Sequence, residues 1–146
     1  MSRPNAAMTR TPVQLAATVV GAVFLVVGIA GFIPGLTTDY ATMEFAGHES
    51  EAKLLGVFAV SVLHNIVHLA FGVVGLVLAG TAQRAYFFLI GGGVVYLVLW
   101  LYGLLIDHDS AANFVPVNTA DNWLHLVLAL GMIALGFALG RSVRTR

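Results

Sequence analysis

The sequence contains no cysteine. That excludes a disulfide scaffold, a thiolate zinc site, a covalent c-type haem and a cysteine nucleophile. Charge is scarce as well: 10% of the 146 residues are Asp, Glu, Lys or Arg, against roughly 25% in an average soluble domain. A soluble domain this small leaves much of its surface in water, yet 59% of the chain is hydrophobic and its mean hydropathy is +0.92. An ordinary soluble globule, a disordered chain and a nucleic-acid binder are all excluded. No internal repeat, low-complexity segment or separable soluble domain stands out, so residues 1–146 read as one domain.

What the chain has instead is long apolar runs. A hydrocarbon core about 30 Å thick takes about 20 helical residues to cross, and four stretches reach that length: 13–32, 54–79, 86–106 and 123–140. None contains Asp, Glu, Lys or Arg. Helices satisfy their own backbone groups in lipid, whereas open strands do not. The expected fold is an all-α, up-down-up-down four-helix transmembrane bundle.

The formal net charge is zero, but the charges are sorted. Arg3, Arg10, Arg84, Arg141, Arg144 and Arg146 fall on one side of the spans. Asp39, Glu44, Glu49, Glu51, Asp107, Asp109 and Asp121 fall on the other, with Lys53 as the only basic residue among them. The positive-inside rule then makes both termini and the 80–85 loop cytoplasmic, and the acidic loops 33–53 and 107–122 external. A cleaved signal peptide is the competing reading of the first run. Its apolar stretch is longer than an h-region, and no A-x-A site follows. The arginines after the last span read as a topology anchor rather than a nucleic-acid contact. Ser50 is the expected N-cap of the second helix, and Asn118 with Asp121 that of the fourth.

Small residues let helix backbones approach closely in lipid. Gly72, Gly75, Gly91, Gly92, Gly93, Gly131, Gly136 and Gly140 concentrate towards the cytoplasmic half and are the expected packing positions. Dimerisation through the same glycines is the alternative. The short link between helices two and three predicts a tight antiparallel hairpin.

Polar residues sit in the other half. His64 and His68 stand at i and i+4, as do Asp121 and His125, so each pair shares a helix face. His64 and His125 each lie sixteen residues from their cytoplasmic boundary, about 24 Å of helix. The polar cluster His64, Asn65, His68, Asp121, Asn122 and His125 is therefore expected to converge. Ionisable residues inside a membrane are costly and face the bundle interior. Three readings compete. One is a hydrogen-bonded network in which Asp121 orients His125. Another is a transition-metal or haem site using His64, His68, His125 and Asp121, since imidazole suits such metals. The third is a proton relay or a small-molecule pocket. No catalytic residue set is evident, and the missing Glu makes this H-x-x-x-H unlike a metalloprotease helix. No cofactor is assigned with assurance.

The segments Leu63-His64-Asn65-Ile66-Val67-His68-Leu69-Ala70-Phe71-Gly72 and Asn113-Phe114-Val115-Pro116-Val117-Asn118-Thr119-Ala120-Asp121-Asn122-Trp123-Leu124-His125 resemble a bacterial family of small four-helix membrane proteins classed only as a domain of unknown function. The resemblance implies the four-span architecture and a bacterial plasma membrane. It implies no activity, substrate or cofactor. The expected protein is a non-enzymatic, multi-pass membrane protein in contact with lipid, either self-associating or an accessory subunit of a larger complex. The alternative from a different class is a metal- or haem-binding membrane protein.

Overall fold

In a computed structural model that describes residues 9–140 and 143, the chain forms four helices: α1 (Pro12–Ala30), α2 (Val62–Leu78), α3 (Ala82–Leu105) and α4 (Thr119–Leu139). Arg3, Arg141, Arg144 and Arg146 lie outside the described residues. Helices α1, α3 and α4 are long and apolar enough to cross a membrane, which marks a multi-pass membrane protein. Helix α2 has 17 residues and spans about 26 Å. Apolar side chains such as Leu15, Val19, Val23 and Val26 on α1 are exposed, as contact with lipid requires.

Each helix starts where its sequence offers a cap. Pro12 occupies the first turn of α1, where its missing N–H costs nothing. Gln14 Oε1 accepts from the Thr11 backbone N–H (3.1 Å), and its Nε2 donates to the Ala79 and Gly80 carbonyls at the end of α2 (3.1 and 3.0 Å). Those carbonyls have no partner within their own helix. Ser61, Thr81 and Asn118 cap α2, α3 and α4 by accepting from the N–H three residues on.

The second helix differs from expectation at its start. Residues 54–61 are not helical: the chain there builds a three-stranded antiparallel sheet, β1 (Thr37–Thr38), β2 (Lys53–Leu54) and β3 (Phe58–Ala59). Lys53 pairs with Ala59 and Leu54 with Phe58. Leu55 and Gly56 between them take positive φ (54° and 70°), which reverses the chain before α2 can begin. Ser50, the expected cap, instead donates to the Val60 carbonyl at 2.6 Å. An apolar run therefore does not equal a helix here.

The expected α2–α3 hairpin is also not the tight one. The closest helix pairs are α1 with α2 and α3 with α4. Gly21 of α1 lies against the Gly72 carbonyl and the backbone at 75–76, and Gly31 against the Asn65 amide. In α3, Gly93 lies against the Ala129 carbonyl and Ile133, and Gly103 against the Asn122 amide. Both pairs are antiparallel, because the earlier glycine always meets the later partner. By contrast, α2 and α3 meet through the rings of Phe71, Phe88 and Tyr96. These rings hold the helices apart even though the link is short.

Those contacts expose an internal repeat. At one constant offset, Ser61, His64, Asn65, His68 and Gly72 of α2 correspond to Asn118, Asp121, Asn122, His125 and Ala129 of α4. At another, Val13, Ala17, Gly21, Phe24 and Gly31 of the first half correspond to Ala85, Leu89, Gly93, Tyr96 and Gly103. Corresponding residues make corresponding contacts. Phe24 packs against His68 with ring centroids 5.7 Å apart, and Tyr96 against His125 at 5.2 Å. Phe24 and Tyr96, counterparts of each other, stack at 5.3 Å. The bundle is thus two copies of one helical hairpin about a pseudo-twofold axis that passes between these rings.

Candidate functional site

The polar residues of α2 and α4 are buried at the end of the bundle that carries the long loops: His64, Asn65, His68, Asp121, Asn122 and His125 are each less than a tenth exposed. Strand β3 lies between them. Asp121 Oδ2 accepts from the Ala59 N–H at 2.9 Å, and His64 Nδ1 donates to the Ala59 carbonyl at 2.8 Å. One peptide segment is therefore gripped from both hairpins by repeat-equivalent side chains. Asp121 Oδ2 also accepts from Asn118 N–H at 2.9 Å, closing the cap of α4. Asn118 Nδ2 donates to Val57 at 2.7 Å, so α4 holds the β2–β3 turn twice.

The Asp121–His125 pairing expected from their spacing does not form. Asp121 turns to backbone N–H groups, and His125 Nδ1 is buried with no hydrogen-bond partner. Spacing at i and i+4 puts two residues on a face, but a cap residue points back over its own helix start. His68 Nδ1 donates to the His64 carbonyl at 3.1 Å. A carbonyl only accepts, so both His64 and His68 place their ring hydrogen on Nδ1, and when neutral each leaves Nε2 as an acceptor.

The two amides do another job. Asn65 covers Gly31 and Asn122 covers Gly103 so closely that even a β-carbon on either glycine would overlap the amide. Among the expected packing glycines, Gly72, Gly75, Gly92, Gly93, Gly136 and Gly140 have close neighbours. Gly91 and Gly131 have nothing within 4 Å: helical rotation turns them away from the packed seam. The glycines Gly21, Gly28, Gly31 and Gly103 escaped the sequence reading. The spacing of the first three along one face of α1 was the available signal.

Two cavities flank the histidines. A cavity of about 120 Å³ lies towards the sheet, among Leu54, Phe58, Asn65 and Asp121. A larger one of about 310 Å³ lies towards α3, among His64, His68, Tyr96, Tyr102, Phe114 and His125. The 107–118 loop covers it: Tyr102 donates its hydroxyl to the Ala112 carbonyl, and Asn113 ties His108 to Val117 through its amide (3.0 Å each). Tyr96 and Asn113 are further residues that sequence reasoning missed. A tyrosine within an apolar run was the visible signal for the first. Asn113 opens the second segment of the family resemblance, but its partners are backbone atoms, which no side-chain pattern marks.

The metal reading fares differently. Among the described residues, no group of three or more His, Cys, Asp or Glu side chains is arranged to hold a metal ion. His64, His68 and Asp121 each commit an atom to the backbone, and Asp121 faces the sheet. Metal binding by His64, His68, His125 and Asp121 is not supported.

No curated protein and no solved structure matches the chain. A family described as Domain of unknown function (DUF4383) matches residues 14–138, which takes in all four helices and the polar cluster. The chain belongs to the DUF4383 family.

Proposed function

We propose that this chain is a non-enzymatic integral protein of the bacterial plasma membrane that acts as a structural or accessory subunit, associating with copies of itself or with other membrane helices. Its termini and the 80–85 link are cytoplasmic, and the loops on either side of the β2–β3 turn and after α3 are external. The charge order supports that orientation, with Arg10 and Arg84 at one end and the acidic loops at the other.

The observation that carries the reading is the use made of the buried polar groups. Asp121, Asn118 and His64 hold the backbone at 57–59, and Asn65 and Asn122 fill the space over glycines. These side chains build the bundle. Exposed Gly91 on α3 and Gly131 on α4 offer flat places where a second helix can approach.

Native mass spectrometry of the protein in lipid nanodiscs tests the association. The expected result is an oligomer or a defined heteromeric complex that Gly91→Leu or Gly131→Leu disrupts. A lone monomer, unaffected by either substitution, overturns it. Since the chain has no cysteine, single cysteines placed at Gly47 and Gln83 report orientation. Labelling of intact cells at position 47 and not at 83 is expected, and the reverse pattern contradicts the proposed sidedness.

A further inference from the structure

We propose that the 310 Å³ cavity between α2, α3 and α4 binds the hydroxylated ring of a lipid-soluble quinol, taken up sideways from the bilayer. This goes beyond the subunit reading and does not depend on it, because a monomer has the complete cavity. The volume lies at the lower end of ordinary small-molecule sites, enough for a ring but not for a long tail.

Three features define the occupant. The first is the entrance. Val67 of α2 and Val98 of α3 line the cavity and are also exposed on the outside of their helices. The cavity therefore reaches the lipid-facing surface between α2 and α3, where aromatic rings keep the two backbones apart. A ligand entering there comes from the membrane, and its apolar tail stays in lipid. The second is charge. The lining contains no Asp, Glu, Lys or Arg, and much of it is aliphatic or aromatic, so the ligand is uncharged and its ring packs beside Tyr96, Tyr102 and Phe114.

The third is the direction of hydrogen bonding. His64 and His68 each spend their Nδ1–H on a backbone carbonyl, which leaves two Nε2 acceptors without a partner among the described residues. His125 contributes a further ring whose Nδ1 is unpartnered and buried. His64 and His68 both line the cavity, and the pair of open acceptors suits a ligand that donates. A quinol donates through its hydroxyls, whereas the corresponding quinone has only carbonyl acceptors. The two Nε2 acceptors favour the quinol, while the Tyr96 hydroxyl in the same lining can pair with either form. No electron transfer is part of the proposal.

Isothermal titration of nanodisc-embedded protein against empty nanodiscs tests it, using decyl-ubiquinol kept reduced and decyl-ubiquinone as the two probes. Saturable binding of the quinol, about tenfold tighter than the quinone, is expected from two unmatched hydrogen bonds. His68→Phe, which keeps a ring beside Phe24 but removes the acceptor, is expected to weaken quinol binding about tenfold and to erase the preference. Val98→Trp blocks the entrance from an exposed position, so it is expected to abolish binding without lowering the melting temperature. Leu130→Trp, exposed on α4 and not lining the cavity, is expected to bind as the parent does. Equal affinity for both probes, no saturable binding, or parental binding by Val98→Trp would each overturn the proposal.

Discussion

The two helical hairpins share their skeleton and differ at one exchange. In both, a glycine on the first helix receives a backbone carbonyl of the second, and an asparagine near the second helix's start lies over another glycine. Where the first hairpin has His64, the second has Asp121. A peptide bond has one donor and one acceptor side, and a segment at the pseudo-twofold axis shows different groups to each half. The histidine donates to the Ala59 carbonyl and the aspartate accepts from the Ala59 N–H. The asymmetry of the pair follows from the asymmetry of the backbone it grips.

Breaking the grip from the second side should cost most. Asp121→Ala removes the carboxylate acceptor of the buried Ala59 N–H and of the part-buried Asn118 N–H, the latter being half of the α4 capping box, and a loss of about 4 kcal/mol is expected in reversible unfolding from mixed micelles. His64→Ala loses one neutral bond and should cost clearly less. A comparable loss for both would mean that the carboxylate has no special share in holding the sheet.

The matching glycines sharpen the comparison. Gly31→Ala and Gly103→Ala both drive a methyl group into an asparagine amide, so each should destabilise by about 2 kcal/mol through overpacking. Unequal costs, one near zero, would show that only one hairpin is closely packed. Gly91→Ala meets nothing and should stabilise by about 0.5 kcal/mol through helix propensity alone, read in the same unfolding assay.

Much of this was legible from sequence. Runs of apolar residues located the four helices, and Asn118 with Asp121 marked the start of α4. Of the polar positions of α2 and α4, His64, Asn65, His68, Asp121 and His125 line one cavity, whereas Asn122 lies over Gly103. The sheet was not legible, because residues 54–60 are as apolar as a helix and only Gly56 interrupts them. Ala59 could not be found either: it contributes backbone atoms, which leave no mark on side-chain pattern. The repeat was half visible. His64-Asn65-Ile66-Val67-His68-Leu69 and Asp121-Asn122-Trp123-Leu124-His125-Leu126 align plainly, but the loops within the two hairpins, 31–61 and 106–118, differ in length, so no single period runs through the chain. The spacing argument also joined Asp121 to His125, whereas the structure joins it to Ala59. In double-mutant terms, Asp121→Ala and His125→Ala should then be additive within about 0.5 kcal/mol, since they share no partner.

The most direct test is the cycle that pairs His64→Ala with Asp121→Ala, measured by the same reversible unfolding. Both side chains hold the peptide groups of one residue, so once either is lost the other holds a loosened strand. The double variant should be less destabilised than the sum of the singles by about 1 kcal/mol or more. Additivity within about 0.5 kcal/mol would contradict the claim that the two hairpins close on Ala59 as one unit.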